Sequence, residues 1–233
     1  MNTLILSDLH LGSKHCHAAL VKRVLEREPF DRLVLNGDTI HNVNMRKWSP
    51  AHWGVLDRLR QIGKSRELIL LRGNHDHERD VDECAADAGG FGTHSVLPAL
   101  LEVPMLEETR LDVGGRSYLV LHGDRFDPTL HHPLVTDMAG WCYQVTKKMN
   151  KKLAKWLKKK SRKWGGLLEW VRLQSLAYAR AQGGDGVVTG HTHYAEDVHD
   201  QNVHYLNTGC WTEPPCSYAT VAGDRLQLHF LPE

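Results

Sequence analysis

Cysteine is scarce and unpaired in this sequence, which holds Cys16, Cys84, Cys142, Cys210 and Cys216. The number is odd and no two share a CxxC spacing. That argues against a disulfide framework and a structural zinc site, and a reduced compartment is the expectation. Long apolar runs are also missing. None approaches the roughly 18 residues of a membrane-spanning helix. Met1-Asn2-Thr3 has no basic character and the first apolar run stops at Asp8, so no signal peptide is expected and the reading is cytoplasmic. No internal repeat or low-complexity linker divides the chain. Acid is absent from one stretch: residues 147–163, KKMNKKLAKWLKKKSRK, hold nine Lys and one Arg. Since the whole chain carries +1, these ten charges leave −9 on the remainder.

What is present is an ordinary globular composition, 41% hydrophobic and 24% charged, with an unusual 16 histidines. A chain of 233 residues can bury roughly three quarters of its unfolded surface, and one domain over 1–233 is expected. Short runs rich in Leu, Ile and Val at Thr3–Ser7, Arg32–Asn36, Glu67–Leu71, Ser117–Leu121 and Gly186–Thr189 read as strands. Helical apolar spacing fills 17–28 and 51–63, the first closed by Pro29 and the second by Gly63. The alternation predicts an α/β fold with parallel pairing and helices on both faces. TRLDVGGRSYLVLHG (109–123) reads as a hairpin turning at Gly114-Gly115. VHYLNTG, SYATVAG and RLQLHFL read as closely spaced antiparallel strands.

Chemistry-bearing residues sit where the strands stop. The endings SDLHLG, NGDTIH, RGNHDH, LHGDRF and TGHTHY supply Asp8 and His10, Asp38, Asn74 with His75 and Asp76, His122, and His191 with His193. Ligands bind at the carboxyl ends of strands in open α/β sheets, so the five endings are expected to meet on one face. If these segments are extended, residues i and i+2 point the same way, which would pair Asp8 with His10 and His191 with His193. The glycines at 37, 73, 123 and 190 allow a tight turn beside the ligands. Asp, His and Asn donors without thiolate suit Mn²⁺, Fe²⁺ or Zn²⁺. Seven such groups are too many for one four-coordinate ion and too nitrogen-rich for Ca²⁺, and two cations sharing one carboxylate fit the count.

In this order the motifs D-x-H, GD, GNHD, H and GHxH, spread over residues 8–193, resemble the calcineurin-like metallophosphoesterase family. The resemblance implies a two-sheet αββα sandwich and a dinuclear centre. One metal would take Asp8, His10 and His193, the other Asn74, His122 and His191, with Asp38 bridging. His75 would then meet the scissile phosphate and assist the leaving group, and Asp76 would orient its ring. His77 and Asp124 receive no catalytic role. Two cations about 3.5–4 Å apart would lower the pKa of a shared water and clamp the phosphoryl oxygens.

GDTIHNVN lacks the GDxxDRG of the phosphoprotein and diadenosine polyphosphate branch. Residues 128–183 read as a helical insertion. Met149, Leu153, Trp156, Leu157 and Trp164 form one apolar face among lysines, and LLEWVRLQSLAYARA (167–181) follows, suggesting a hairpin over the metal face. Such a face suits an anionic membrane surface or an acyl chain, with Lys151, Lys152, Lys155, Trp156 and Lys159 as the contacts. With HGDRFD, DGVVTGHTHYAE and YLNTGCW, the insert resembles the UDP-2,3-diacylglucosamine pyrophosphatases of lipid A synthesis that carry GNHD. This implies UMP and 2,3-diacylglucosamine 1-phosphate as products, and a peripheral membrane site of action. His41 and Cys210 depart from that pattern. The alternatives are hydrolysis of another lipid, nucleotide or nucleic-acid phosphodiester, and a non-catalytic scaffold of the same fold.

Overall fold

The computed structural model describes residues 1–41, 44–76, 93–131 and 166–232, without the side chains of 93–95 and 131. His77 and the expected contacts Lys151, Lys152, Lys155, Trp156 and Lys159 lie outside the described residues. The elements run β1 (Thr3–Leu6), α1 (Ala18–Arg27), β2 (Arg32–Asn36), α2 (Pro50–Ser65), β3 (Glu67–Leu71), α3 (Thr93–Leu101), β4 (Met105–Leu106), β5 (Glu108–Val113) and β6 (Arg116–Leu121). They continue with α4 (Pro128–His131), α5 (Leu167–Ala181), β7 (Gly186–Thr189), β8 (Glu196–Asp200), β9 (Val203–Asn207), β10 (Ser217–Ala222) and β11 (Arg225–Phe230).

Two sheets result, ordered β11-β10-β1-β2-β3-β4 and β5-β6-β7-β9-β8. The strands β1 to β4 are mutually parallel, as are β6, β7 and β9, and antiparallel pairs close every edge except that of β4. The period-2 alternation of a strand explains why the central runs are apolar throughout. Leu4 and Leu6 of β1, Leu33 and Leu35 of β2, and Leu68 and Leu70 of β3 pack with α1, α2 and α3. Their neighbours Ile5, Val34 and Leu71 turn the other way, into the layer between the sheets, where they meet Val120, Val188 and Leu206. On the far side Leu119, Leu121, Val187 and Tyr205 pack against Leu176 and Ala179 of α5. The layers are helix, sheet, sheet, helix, the αββα sandwich expected for the family.

Three expectations change. The segment Val203–Asn207 does not join the C-terminal strands; it pairs in parallel with β7, while β10 and β11 complete the other sheet. Apolar periodicity marks a strand but carries no sheet or direction, so the crossing between sheets was not visible. The strand β8 was not expected at all, because EDVHD is an edge strand whose side chains are half-buried or exposed and has no apolar run. Residues 167–181 form the expected helix, but its buried side, Val171, Ser175, Leu176 and Ala179, lies on the outer face of the second sheet. This half of the expected insertion is a structural layer and does not stand over the metal face.

The packing is narrow at Gly186. Across the second sheet Tyr118, Gly186 and His204 fall in one row. A Cβ on Gly186 would overlap the Tyr118 ring and lie 2.9 Å from the His204 carbonyl oxygen. Gly186→Ala is expected to cost about 1–3 kcal/mol, typical of overpacking, measured as a lowered midpoint in urea at unchanged m-value.

Candidate metal centre

Beyond β1 and β2 the two chains stay zipped together. Asp8 donates its N–H to the Gly37 carbonyl at 3.1 Å, His10 to Asp38 at 2.9 Å and Leu11 to Thr39 at 2.9 Å. This brings SDLHLG and NGDTIH side by side at the carboxyl end of the first sheet. The second sheet docks the remaining endings on them: the His191 N–H donates to Asp8 Oδ2 at 3.0 Å, and the Trp211 N–H to the Asp8 carbonyl at 3.2 Å.

The side chains converge for a reason different from the alternation of an extended strand. Asp8 (φ 54°), His10 (49°), Asp38 (50°), His191 (64°) and His193 (58°) are all left-handed. Such a conformation costs a non-glycine residue about 1–3 kcal/mol and survives only where the surroundings over-determine it. Five of the seven non-glycine residues with positive φ among the described residues are expected metal ligands. Strain is thus concentrated at the site. His191 and His193 do not lie side by side; they reach opposite ends of the cluster, as the resemblance implied by assigning them to different metals.

At one end His193 Nε2 is 3.1 Å from both His10 Nε2 and Asp8 Oδ1. At the other, His191 Nδ1 is 2.9 Å from Asn74 Oδ1. His122 Nδ1 donates to the Asn36 carbonyl at 2.9 Å, and its Nε2 faces Asp38 Oδ1 at 3.4 Å. Asp38 lies between, with Oδ2 3.6 Å from His10 Nε2. All seven expected ligands therefore meet, in two groups joined by Asp38. Asp8, Asp38, His10 and His122 are buried.

The donor set fits divalent cations. Asp8 Oδ1 and His122 Nε2 are buried with no polar neighbours but other members of the set, His193 Nε2 at 3.1 Å and Asp38 Oδ1 at 3.4 Å. The hydrogen bond from His191 Nε2 to Asp127 Oδ2, 2.8 Å, turns the Nδ1 lone pair toward the Asn74 oxygen, acceptor against acceptor. Orientation of a ligating imidazole by an outer carboxylate or carbonyl is the usual companion of a metal site. When bound, two such cations supply Lewis acidity and an activated water for attack at phosphorus.

Other residues position this set. Asp76 Oδ2 accepts the N–H groups of Gly73 (2.9 Å) and Asp38 (3.0 Å), so its carboxylate anchors the Asp38 loop. The His75 N–H donates to Asp38 Oδ1 at 2.9 Å, and the His75 ring lies 4.9 Å from that of His10 and 5.3 Å from that of His41. His41, a departure from the resembled pattern, thus sits at the mouth of the site. Cys210, the other departure, lies beside it: Thr212 Oγ1 is 3.5 Å from both Cys210 Sγ and His193 Nδ1. Sequence reasoning missed Asp127 and Asn207. Asn207 holds the GHTH turn through the Gly190 carbonyl (2.6 Å) and Thr192 Oγ1 (3.1 Å). Their signals were the closing Asp of HGDRFD and the Asn that ends β9.

Burial and charge oppose each other here. Burial would raise Asp8, but His122 and His193 outweigh it and hold the carboxyl at about 2. Asp38 is likewise pulled below its ordinary value, against burial, by His122 and His10. His193 is pushed up to about 10 because Asp8 overcomes its desolvation, and His122 rises with it through Asp38 and Asp8. Burial wins at His10, lowered to about 3, and at Asp76, raised to about 7 with Asp38 adding to the effect.

A fold with carboxylates and imidazoles of this kind at the carboxyl ends of its strands is that of a metal-dependent phosphoester hydrolase. A family model described as calcineurin-like phosphoesterase matches residues 1–195, and the chain belongs to that family. Its members use a dinuclear metal centre, and the protein is a hydrolase acting on phosphoesters. The chain is similar to the solved structure of Yfce, a phosphoesterase from E. coli, at 18% identity over 97% of this chain and 91% of that one, TM-score 0.52. It is also similar to Vps29 of Chaetomium thermophilum, at 16% identity over 98% and 85%, TM-score 0.50. Likeness at these identities speaks for the fold alone. No curated protein sequence matches the chain.

Two outcomes check the centre. With a folded pKa near 10, His193 is protonated at neutral pH in the metal-free protein, and a cation must displace that proton. Mn²⁺ titrated calorimetrically at pH 7 in buffers of different ionisation enthalpy should release at least one proton per chain; no release would contradict the arrangement. A Cβ on Gly73 would overlap Asp38 Oδ1 and the Asp38 backbone nitrogen. Gly73→Ala should therefore lower Mn²⁺ affinity at least about tenfold by the same calorimetry, and the loss should exceed its effect on thermal stability.

Proposed function

We propose that the protein cleaves the pyrophosphate bond of a nucleotide-linked amphiphile, with UDP-2,3-diacylglucosamine as the substrate and UMP and 2,3-diacylglucosamine 1-phosphate as products. The observation that carries this reading is an open cavity of about 900 Å³ beside the metal centre. Its described lining includes Lys14, His15, His17, His41 and Lys47 and no Asp or Glu. His41 belongs both to this lining and to the group formed with His10 and His75. A substrate with anionic character beyond the scissile phosphate fits such a lining, as a diphosphate-linked nucleotide does. The cavity lies within the range of small-molecule sites.

In this reading Asp8, His10 and His193 hold one Mn²⁺, Asn74, His122 and His191 the other, and Asp38 bridges them. His75 meets the scissile phosphate and the leaving oxygen. Asp76, expected to orient the His75 ring, instead accepts the Gly73 and Asp38 N–H groups and so fixes the loop whose Asp38 Oδ1 receives the His75 N–H. The nitrogen and oxygen donors suit Mn²⁺, with Fe²⁺ and Zn²⁺ as competitors. The Lys/Trp pattern of 147–163 supports contact with the lipid or an anionic membrane surface, and hence peripheral action from the cytoplasmic side. No helix among the described residues is long and apolar enough to cross a membrane.

The test is release of UMP from UDP-2,3-diacylglucosamine in detergent micelles with Mn²⁺. Rapid release is expected from wild type and none from Asp38→Asn, which removes the shared charge. Turnover near wild type in that variant would sink the two-metal reading. Hydrolysis of a simple aryl phosphodiester without UMP release would sink the substrate and leave phosphoester hydrolysis standing.

A further inference from the structure

A second cluster of ligating side chains lies away from the metal centre, on the hairpin of β8 and β9. His199 and His204 are directly opposed across the two strands. Their rings stack at 4.0 Å with 13° between planes. Asp197, two residues before His199 and on the same face of β8, brings Oδ1 to 2.7 Å from His204 Nε2. One ligand atom from each of the three lies within 4.8 Å of the others. On the inner side Tyr118 Oη is 3.0 Å from His204 Nδ1. The tyrosine reaches it across Gly186, the residue between them in the row, because glycine leaves that space open.

This row is separate from the metal centre. Tyr118 and Gly186 stand near the amino ends of β6 and β7, whereas His122 and His191 follow their carboxyl ends. Four residues of strand separate Tyr118 from His122, about 13 Å along the sheet.

We propose that Asp197, His199 and His204 form a surface Zn²⁺ site that clamps edge strand β8 to β9. Two imidazoles and one carboxylate, with an open position for water, are a donor set Zn²⁺ accepts. Nε2–H of His204 donates to Asp197 Oδ1 in the absence of a cation; a cation at Nε2 would displace that proton, with Nδ1–H left to donate to Tyr118 Oη. This is the outer-sphere arrangement that fixes a ligating tautomer. Burial, reinforced by His199 and Arg116 and opposed by Asp197, keeps His204 below its ordinary pKa and so in the neutral, ligating form. Zinc bonds of 2.0–2.2 Å at tetrahedral angles put ligand atoms roughly 3.3 Å apart. The His199 ring must turn out of its stack on His204, because parallel rings cannot aim in-plane lone pairs at one ion, and Asp197 must retreat by about half an ångström from His204. Its side chain is 41% exposed and free to do so, while His204, at 6%, supplies the fixed point.

The experiment is equilibrium dialysis of the full chain against chelator-buffered Zn²⁺, comparing wild type with His199→Ala and Asp197→Asn. His199 and Asp197 are exposed, so the fold should survive either change. Wild type is expected to bind one equivalent more than His199→Ala, with phosphoester turnover equal in the two. The NMR signals of His204 and Tyr118 should shift with that equivalent. Asp197→Asn should weaken it, and Tyr118→Phe should weaken it about tenfold at unchanged stoichiometry. Equal stoichiometry and affinity in wild type and both hairpin variants would overturn the site and leave Tyr118, His204 and Asp197 as a hydrogen-bonded strap.

Discussion

The Asp38 carboxylate is the group on which the rest of the site depends. Its two oxygens face different imidazoles, Oδ1 that of His122 at 3.4 Å and Oδ2 that of His10 at 3.6 Å. Oδ1 also receives the His75 N–H, and the Asp38 N–H is held by Asp76. A carboxylate only 2% exposed is costly to ionise unless cations or strong donors surround it. Here imidazoles from both sheets do so, and a pair of divalent cations would do so more completely. The same carboxylate joins the Asn-His-Asp turn after β3 to the loops after β1 and β2, so its placement is both an electrostatic and a topological condition.

The strained loops stand on a scaffold that does not give. The inner strands β1, β2 and β3 are buried on both faces by alternating side chains, with residues such as Leu4, Ile5 and Leu6 fully enclosed. Each enclosed Leu or Ile contributes roughly 1.5–3 kcal/mol, a scale comparable to the cost of one left-handed ligand. The hydrogen bonds that continue past β1 and β2 hold Asp8, His10 and Asp38 in conformations they would not choose. The neighbouring cavity depends on the same geometry. His41 belongs to the loop that pairs with Leu11, so the cavity, with no Asp or Glu in its described lining, opens at the edge of the metal centre.

The helix-rich readings were legible because amphipathic spacing is local: 167–181 was recognisable as a helix to the residue. Its place was not legible, since an apolar stripe made by Val171, Leu176 and Ala179 does not name the surface it will cover. The edge strand β8 escaped notice because exposed polar residues carry no period. Asp127 and Asn207 were hidden for a related reason. They act on other ligands, and a residue whose partner is 64 positions away, as His191 is from Asp127, leaves no spacing to read.

The sequence by itself determined which residues carry the chemistry: carboxylates, imidazoles and an amide placed directly after apolar strands, in an order that marks the family. It also determined that those strands would be buried on both faces, because their apolar runs have no polar alternation. Only the tertiary structure decided how the ligands converge. Asp-x-His and His-x-His meet their partners through left-handed turns rather than extended ones, and His191 and His193 separate to opposite ends of the cluster. Backbone conformations of that kind are stable only when long-range hydrogen bonds between two sheets impose them, and no local pattern of residues records those bonds.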